Sequence, residues 1–420
     1  MAMFKITGER ELKGRVELRG AKNAALKILP AAILANGVTT IHNVPDILDI
    51  RKTIEILQSI GARISFADNT VVIDSSTITS SQPDEKLVNK LRGSIVLIGA
   101  LLAKFGDATF SQPGGCLIGA RPIDDHLDVF KQMGVTIRRK EDRFMLSGKP
   151  KASRVVLKKM SVTATENAIL ASVFSSGITR IEVAAAEPEI ADLAKFLNAM
   201  GAKISGAGTH EITIEGVKEL KPVTHSIIPD RIEAGTYIMF GLATNSEIEV
   251  GPIIPEHLEI VFKRLVDAGA EFDFFKSGGN LYVRTKKHRG LTSQDCDTRT
   301  YPGFPTDLQS PYTALMTQTK GECTVFETIF EGRFGFVEEL KMMRADINVL
   351  NPHELKVSGP TKLKSNSITS RDIRGGAALV LAALVAHGTT TIEDIEFIDR
   401  GYEQMDIKLQ GLGAEIERID

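Results

Sequence analysis

The chain has 420 residues, 43% hydrophobic and 25% charged, with a formal net charge of −2. That length exceeds what one hydrophobic core usually serves, so two domains are expected, and the near-neutral balance argues against non-specific nucleic-acid binding, which calls for a basic excess. Cys116, Cys296 and Cys323 are too few and too scattered for a disulfide framework or a zinc site, which fits a reducing cytoplasm.

The N-terminal Met1-Ala2-Met3-Phe4-Lys5-Ile6 lacks the long apolar run of a signal peptide, and no apolar stretch is long enough to span a bilayer cleanly. The stretch from Phe4 to Leu18 reads as an initial hairpin that could pack with either domain. After it the chain repeats. A phrase in which a helix end runs into Gly-Ala-x-Ile occurs at Gly61-Ala62-Arg63-Ile64, Gly134-Val135-Thr136-Ile137, Gly201-Ala202-Lys203-Ile204, Gly269-Ala270-Glu271-Phe272 and Gly413-Ala414-Glu415-Ile416. A degenerate copy, Arg344-Ala345-Asp346-Ile347, fills the remaining gap. A second phrase, a turn leading into an alternating strand, returns in step, as in Gly37-Val38-Thr39-Thr40-Ile41 and Gly388-Thr389-Thr390-Thr391-Ile392. The period of about 70 residues is longer than any common solenoid repeat, so each copy is a small αβ module.

Each module opens with an Ala-rich apolar helix, such as Ala24 to Asn36, Ser94 to Phe105 or Ala377 to His387. Apolar nearly all round, such helices belong inside a ring of modules. A strand, a loop and an amphipathic helix follow, such as Asp49 to Ile60 or Asp192 to Met200, and then a hairpin, such as Ile64–Phe66 with Val71–Ile73 around Asp68-Asn69. Six modules divide most simply as three plus three, with the break near Lys221-Pro222 to Pro229-Asp230, where prolines interrupt the pattern.

In the second module, Gln112-Pro113-Gly114-Gly115-Cys116-Leu117-Ile118-Gly119-Ala120-Arg121-Pro122 is too rich in glycine and proline to be helix or strand interior, so Cys116 sits on a loop. A thiol near Arg121 can have a depressed pKa and be reactive, whereas a lone cysteine is more often structural and buried. Both readings stand at this point. The starts of the apolar helices carry Lys22-Asn23, Arg92, Thr165-Glu166, Asp230-Arg231, Asp307 and Arg374. The loops before the second helices add Asp49, Arg121, Glu187, Glu189, His257, Arg333 and Arg400. Equivalent ends of pseudo-symmetric modules point to one side, so two facing domains would line a cleft with these groups. Helix N-termini and arginines suit phosphates and carboxylates there. No His-x-x-x-His pair, no clustered Cys/His set, no Gly-x-Gly-x-x-Gly after a strand and no Walker loop is present, so no metal and no nucleotide cofactor is expected.

Six motifs then occur in order: Gly20-Ala21-Lys22-Asn23-Ala24-Ala25, Pro113-Gly114-Gly115-Cys116-x-x-Gly119-Ala120-Arg121-Pro122, Glu187-Pro188-Glu189, Pro229-Asp230-Arg231-Ile232-Glu233, Phe304-Pro305-Thr306-Asp307 and Ile398-Asp399-Arg400-Gly401-Tyr402-Glu403. With them the chain closely resembles, over essentially its whole length, the UDP-N-acetylglucosamine 1-carboxyvinyltransferases. These enolpyruvyl transferases share a fold with 5-enolpyruvylshikimate-3-phosphate synthase. The resemblance implies an α/β fold of two inside-out, barrel-like domains of three βαβαββ repeats each, residues 22–229 and residues 1–21 with 230–420, around an interdomain active-site cleft. It implies transfer of enolpyruvate from phosphoenolpyruvate to the 3′-hydroxyl of UDP-N-acetylglucosamine, the step that begins peptidoglycan precursor synthesis, in a cytoplasmic enzyme.

The resemblance also implies residue roles. Cys116 matches the thiol that donates a proton to the substrate methylene, can form an adduct with phosphoenolpyruvate and is alkylated by fosfomycin, on a loop that closes as a lid. Asp307 matches the carboxylate near the 3′-hydroxyl. Lys22, Arg121 and Arg400, with Asn23 beside Lys22, match the group holding the phosphate and carboxylate of phosphoenolpyruvate. Arg92, Arg121, Pro122, Ile123, Asp124, Asp125, Lys159, Ser161, Val162, Thr163, Asp307 and Ile329 match the sugar-nucleotide positions, with Asp125 where an apolar residue is frequent and Thr163 where glycine is frequent. Asp49, Asp372 and Arg374 match supporting residues. The implied partners are these two small molecules, with no nucleic acid, no membrane and a monomeric protein. The shikimate enzyme, the nearest rival, lacks the Gly-Gly-Cys thiol and opens on Ser-Lys-Ser rather than Ala-Lys-Asn. A non-catalytic sugar-nucleotide-binding paralogue is disfavoured by the joint presence of Lys22, Cys116, Asp307 and Arg400.

Overall fold

Six helices bury nearly every residue they contain: Lys22–Ala31, Leu97–Phe105, Val162–Ser172, Arg231–Ala243, Gln309–Met316 and Ile373–Val385. The protein is described from a computed structural model, which covers residues 2–111, 114, 122–141 and 143–419. The buried helices are the first helices of the six modules, and their starts depart from the sequence reading by a few residues. The first begins at Lys22 rather than Ala24 and gives way to a 3₁₀ turn, Ala32–Leu34. The second is preceded by a 3₁₀ turn, Arg92–Val96. The sixth begins four residues before Ala377 because Asp372 caps it, its carboxylate accepting from the N–H groups of Arg374 and Gly375 at 2.9 Å each. An N-cap carboxylate fills donors that a helix start would otherwise leave unpaired.

Each buried helix leads into a strand, as Lys22–Ala31 leads into Val38–His42 and Ile373–Val385 into Thr389–Glu393. The strands bury alternate residues, Thr39 and Ile41 in one and Thr390 and Ile392 in the other, because successive side chains point to opposite faces. The second helices, such as Leu48–Ser59 and Pro188–Ala199, keep a polar face, and a hairpin closes each of the first five modules. In the first module the hairpin joins Arg63–Ala67 to Thr70–Asp74, and Asp68 and Asn69 both take the left-handed backbone that a two-residue turn requires.

Residues 2–19 and 229–419 form one compact unit; residues 20–114 and 122–228 form the other. Each unit encloses its own hydrophobic core, three buried helices and three open sheets; among the described residues none of the sheets closes into a barrel. Within each unit the sheets lie outside the buried helices. No helix of the described residues is long and apolar enough to cross a membrane.

The stretch from Phe4 to Leu18 is not a hairpin. Met3–Thr7 lies between Thr389–Glu393 and Glu415–Ile419, antiparallel to both, and so stands where the other modules have the second strand of their own hairpin. Gly14–Glu17 joins a different sheet, parallel to Ile248–Gly251. The reason is burial: Phe4 and Ile6 are fully buried, and a central strand pairs both backbone edges where a two-stranded hairpin would leave them open.

The same exchange occurs at the other passage between units. In three modules a short strand before the buried helix pairs in parallel with the strand after it, as Arg154–Val156 does with Ile178–Glu182. Thr224–Ser226, however, precedes the helix Arg231–Ala243 yet pairs with Val38–His42. The chain thus leaves a parallel edge strand behind each time it passes from one unit to the other. At the first passage a Cβ on Gly20 would lie 2.0 Å from the Asn43 carbonyl oxygen, so only glycine fits.

Candidate active site

In the unit of residues 20–228, Lys22 is the first residue of its helix and is buried, with its Nζ 2.8 Å from Asp49 Oδ2. Asp49 is itself buried in the first turn of Leu48–Ser59, where a negative charge is favoured by the helix dipole. Asn23 follows Lys22 and is half-buried. One turn deeper, Lys27 Nζ lies 3.0 Å from Glu166 Oε2. Burial pushes the Glu166 carboxyl up to about 8 against the pull of Lys27, with Glu189 and Glu187 adding to the rise.

The residues of this unit that the resemblance matches to sugar-nucleotide positions are tied together by hydrogen bonds and an ion pair. An Arg92 guanidinium N–H donates to the Pro122 carbonyl at 3.3 Å. Ile123 precedes the helix Asp124–Gln132, and on that helix Asp125 pairs with Lys159 at 3.2 Å. Ser161 caps the helix that begins at Val162, accepting from the Ala164 N–H at 3.4 Å, and the Thr163 hydroxyl lies 3.2 Å from His126 Nε2. His126 is buried, and its Nδ1 lies 2.8 Å from Asn167, which also bonds the backbone of Ile95 and Gly99. Asp125 and Thr163 therefore each have a partner on the other segment. Cys116 and Arg121 lie outside the described residues.

In the unit of residues 2–19 and 229–419, Asp307 stands on a 3₁₀ turn, Thr306–Leu308, ahead of Gln309–Met316. Arg333 donates to its Oδ1 at 2.6 Å and Arg374 to its Oδ2 at 3.0 Å. Burial alone would raise the Asp307 pKa, but the charges of Arg374 and Arg333 outweigh it and hold the carboxyl well below the usual range. Arg374 is buried, with its guanidinium carbon 5.2 Å from the centre of the Tyr402 ring, and the Tyr402 hydroxyl lies 3.0 Å from that of Thr236. Although burial works to lower it, the Arg374 pKa is raised, chiefly by Asp307. Asp372 fixes the start of the helix that carries Arg374. Arg400 follows the short helix Glu396–Asp399 and is half-buried. The backbone N–H of Ile329 donates to Glu327 at 2.8 Å.

The sequence places Arg333 among the groups on the loops before the second helices but gives it no role beside Asp307. Its pairing with Asp307 joins positions 26 residues apart with no periodic relation, and only the fold brings them together.

A family model described as EPSP synthase (3-phosphoshikimate 1-carboxyvinyltransferase) matches residues 6–409. UDP-N-acetylglucosamine 1-carboxyvinyltransferase 2 of Carboxydothermus hydrogenoformans is 45% identical over 421 residues, covering 100% of each chain. Its counterpart in Bacillus subtilis is 42% identical over 419 residues, covering 100% of this chain and 97% of its own. Among solved structures, the enolpyruvyl transferase NikO from Streptomyces tendae is similar with a TM-score of 0.88 at 25% identity, covering 99% of this chain and 98% of that one. EPSP synthase from Acinetobacter baumannii shares the fold, with a TM-score of 0.76 at 17% identity and 100% of each chain covered. With relatives this similar along its whole length, the chain belongs to the UDP-N-acetylglucosamine 1-carboxyvinyltransferases, carboxyvinyl-transferring enzymes of the EPSP synthase family.

Proposed function

We propose that the protein transfers the enolpyruvyl group of phosphoenolpyruvate to the 3′-hydroxyl of UDP-N-acetylglucosamine and releases phosphate. The observation that carries this reading is the 45% identity to a relative of that name across the whole of both chains. The reaction adds a proton to C3 of phosphoenolpyruvate while the 3′-oxygen bonds to C2, giving a tetrahedral ketal. Loss of a C3 proton and cleavage of the C2–O bond to phosphate then restore the double bond. Cys116 is the proton donor to C3, since a thiol near cations exchanges protons near neutral pH.

Asp307, held ionised by Arg333 and Arg374, accepts the 3′-hydroxyl proton. A carboxylate so stabilised is a weak base, so the proton moves as the oxygen attacks, not before. Lys22, Asn23, Arg121 and Arg400 hold the phosphate and carboxylate and balance charge as the ketal forms and collapses. Asp49, Asp372 and Arg374 orient that machinery. Arg92, Pro122, Ile123, Asp124, Asp125, Lys159, Ser161, Val162, Thr163 and Ile329 hold the sugar nucleotide. The chemistry calls on no cofactor or metal, and the protein acts as a cytoplasmic monomer on two small molecules.

The test is phosphate release from phosphoenolpyruvate, first with UDP-N-acetylglucosamine and then with shikimate 3-phosphate. Release with the former alone is expected; no release with it overturns the proposal. Replacing Cys116 with serine is expected to slow product release about 100-fold or more, the scale of a lost general acid. Turnover near the wild-type rate, measured in the same assay, would remove Cys116 from that role.

A further inference from the structure

Glu327 follows the strand Gly321–Phe326 and is fully buried. Its Oε1 accepts from the Thr298 hydroxyl at 2.9 Å and from the N–H groups of Ile329 at 2.8 Å and Phe330 at 3.2 Å; its Oε2 accepts from the Thr306 hydroxyl at 2.8 Å. The backbone around it is fixed as well. The Glu327 N–H donates to the His353 carbonyl at 2.7 Å, and the Thr328 N–H donates to the Thr298 hydroxyl at 2.9 Å. A buried carboxylate is costly unless donors fill its lone pairs, and four donors from three chain segments do so here.

Two of those segments lead to the reaction. Thr306 precedes Asp307, and one guanidinium nitrogen of Arg333 bonds both the Thr306 carbonyl, at 3.2 Å, and Asp307. Ile329 is a sugar-nucleotide position. We propose that Glu327 is a positioning residue for the transfer: one carboxylate sets the Asp307 turn and the Ile329–Phe330 backbone in register with each other. The group that takes the 3′-proton and the wall that holds the sugar are thereby fixed to a common point. This inference rests on the transferase reading above.

The two oxygens divide the work. Oε1 serves two backbone N–H groups, which can only donate, together with the Thr298 hydroxyl, whereas Oε2 serves the Thr306 hydroxyl alone, which can also accept. Glu327→Gln can therefore keep both arms, with its amide nitrogen donating to Thr306. Thr306→Val removes the Asp307 arm alone, and Glu327→Ala removes both.

The experiment is steady-state phosphate release by the full chain and these three variants, with the melting temperature of each and its affinity for UDP-N-acetylglucosamine by calorimetry. Small misplacement of a reacting group is costly, so Thr306→Val is expected to lower kcat about tenfold and leave the KM for the sugar nucleotide within about twofold. Glu327→Ala is expected to lower kcat and raise that KM, each about tenfold, while Glu327→Gln stays within about threefold of wild type in both.

Retention of both constants by Thr306→Val and Glu327→Ala, whatever their melting temperatures, overturns the proposal. So does a Glu327→Gln loss as large as that of Glu327→Ala, which would assign the effect to charge. If Glu327→Ala does not fold, the kcat of Thr306→Val decides. If the wild type releases no phosphate, the transferase reading fails by itself, and calorimetry still speaks on Glu327. Weakened binding by Glu327→Ala but not by Thr306→Val supports the Ile329 arm, and equal binding by all four proteins overturns it.

Discussion

Glu166 lies wholly out of water on the helix Val162–Ser172, with its carboxyl shifted by burial from an ordinary value of 4.5 to about 8. The sign of the linkage follows. Between about pH 4.5 and about 8 the unfolded chain releases this proton while the folded chain keeps it, so the native state binds more protons and loses stability as pH rises. Lys27 opposes the shift, and Glu187 and Glu189 reinforce it. Glu166→Gln removes the titration, so its unfolding midpoint relative to wild type should rise steadily from pH 5 to pH 8, as followed by denaturant titration. A constant difference would mean that Glu166 is already ionised in the folded protein. At this scale the sequence is legible where a residue marks a helix start, as Lys22 and Asp49 do. It is silent where the partner comes from an unrelated segment, as Arg333 does for Asp307 and as Thr298 and Thr306 do for Glu327.

Helix–strand turns are the elements most clearly written in the chain. The Gly-Ala-x-Ile phrase marks the exit from each second helix because its first residue takes a left-handed backbone: φ is 105° at Gly61, 77° at Gly134, 108° at Gly201, 98° at Gly269 and 88° at Gly413. The degenerate copy keeps the conformation without the glycine, Arg344 having φ of 73°. A non-glycine residue there carries a steric cost, and Arg344 is exposed, with little packing to lose. Arg344→Gly is expected to stabilise the protein by about 1 kcal/mol, measured as a higher denaturation midpoint; a lower midpoint would show that the arginine earns its place through its side chain. Helix starts are less legible than these turns. Asp372 sits before a run of small residues that looks helical only from Ala377, and its cap extends the helix to Ile373.

Across the whole molecule the repeat count is legible, and the described residues form six modules with six sheets. Strand pairing at the N-terminus is not. Local alternation in residues 4–18 suits a hairpin, but the apolar face of Met3–Thr7 finds its core against residues nearly the whole chain away. Nothing local encodes that choice; the sixth sheet's need for a central strand decides it. Phe4 is fully buried, with the Arg418 guanidinium carbon 5.0 Å from its ring centre. Phe4→Ala is expected to cost about 3–5 kcal/mol, the range for truncating a buried aromatic. Thermal melting of the full chain reads the loss, and an unchanged melting temperature would mean that the strand is dispensable to the sheet.

The strands left behind at each passage between units also set a timetable for a chain made from its N-terminus. Residues 20–228 hold all that their three sheets need once Thr224–Ser226 has been synthesised, so that unit can be finished while the rest is still to come. Met3–Thr7 must wait for Glu415–Ile419, which at about 5–20 residues per second is a delay on the order of tens of seconds. Met3–Thr7 is thus made before residues 20–228 and yet can take its central place only after that unit is complete.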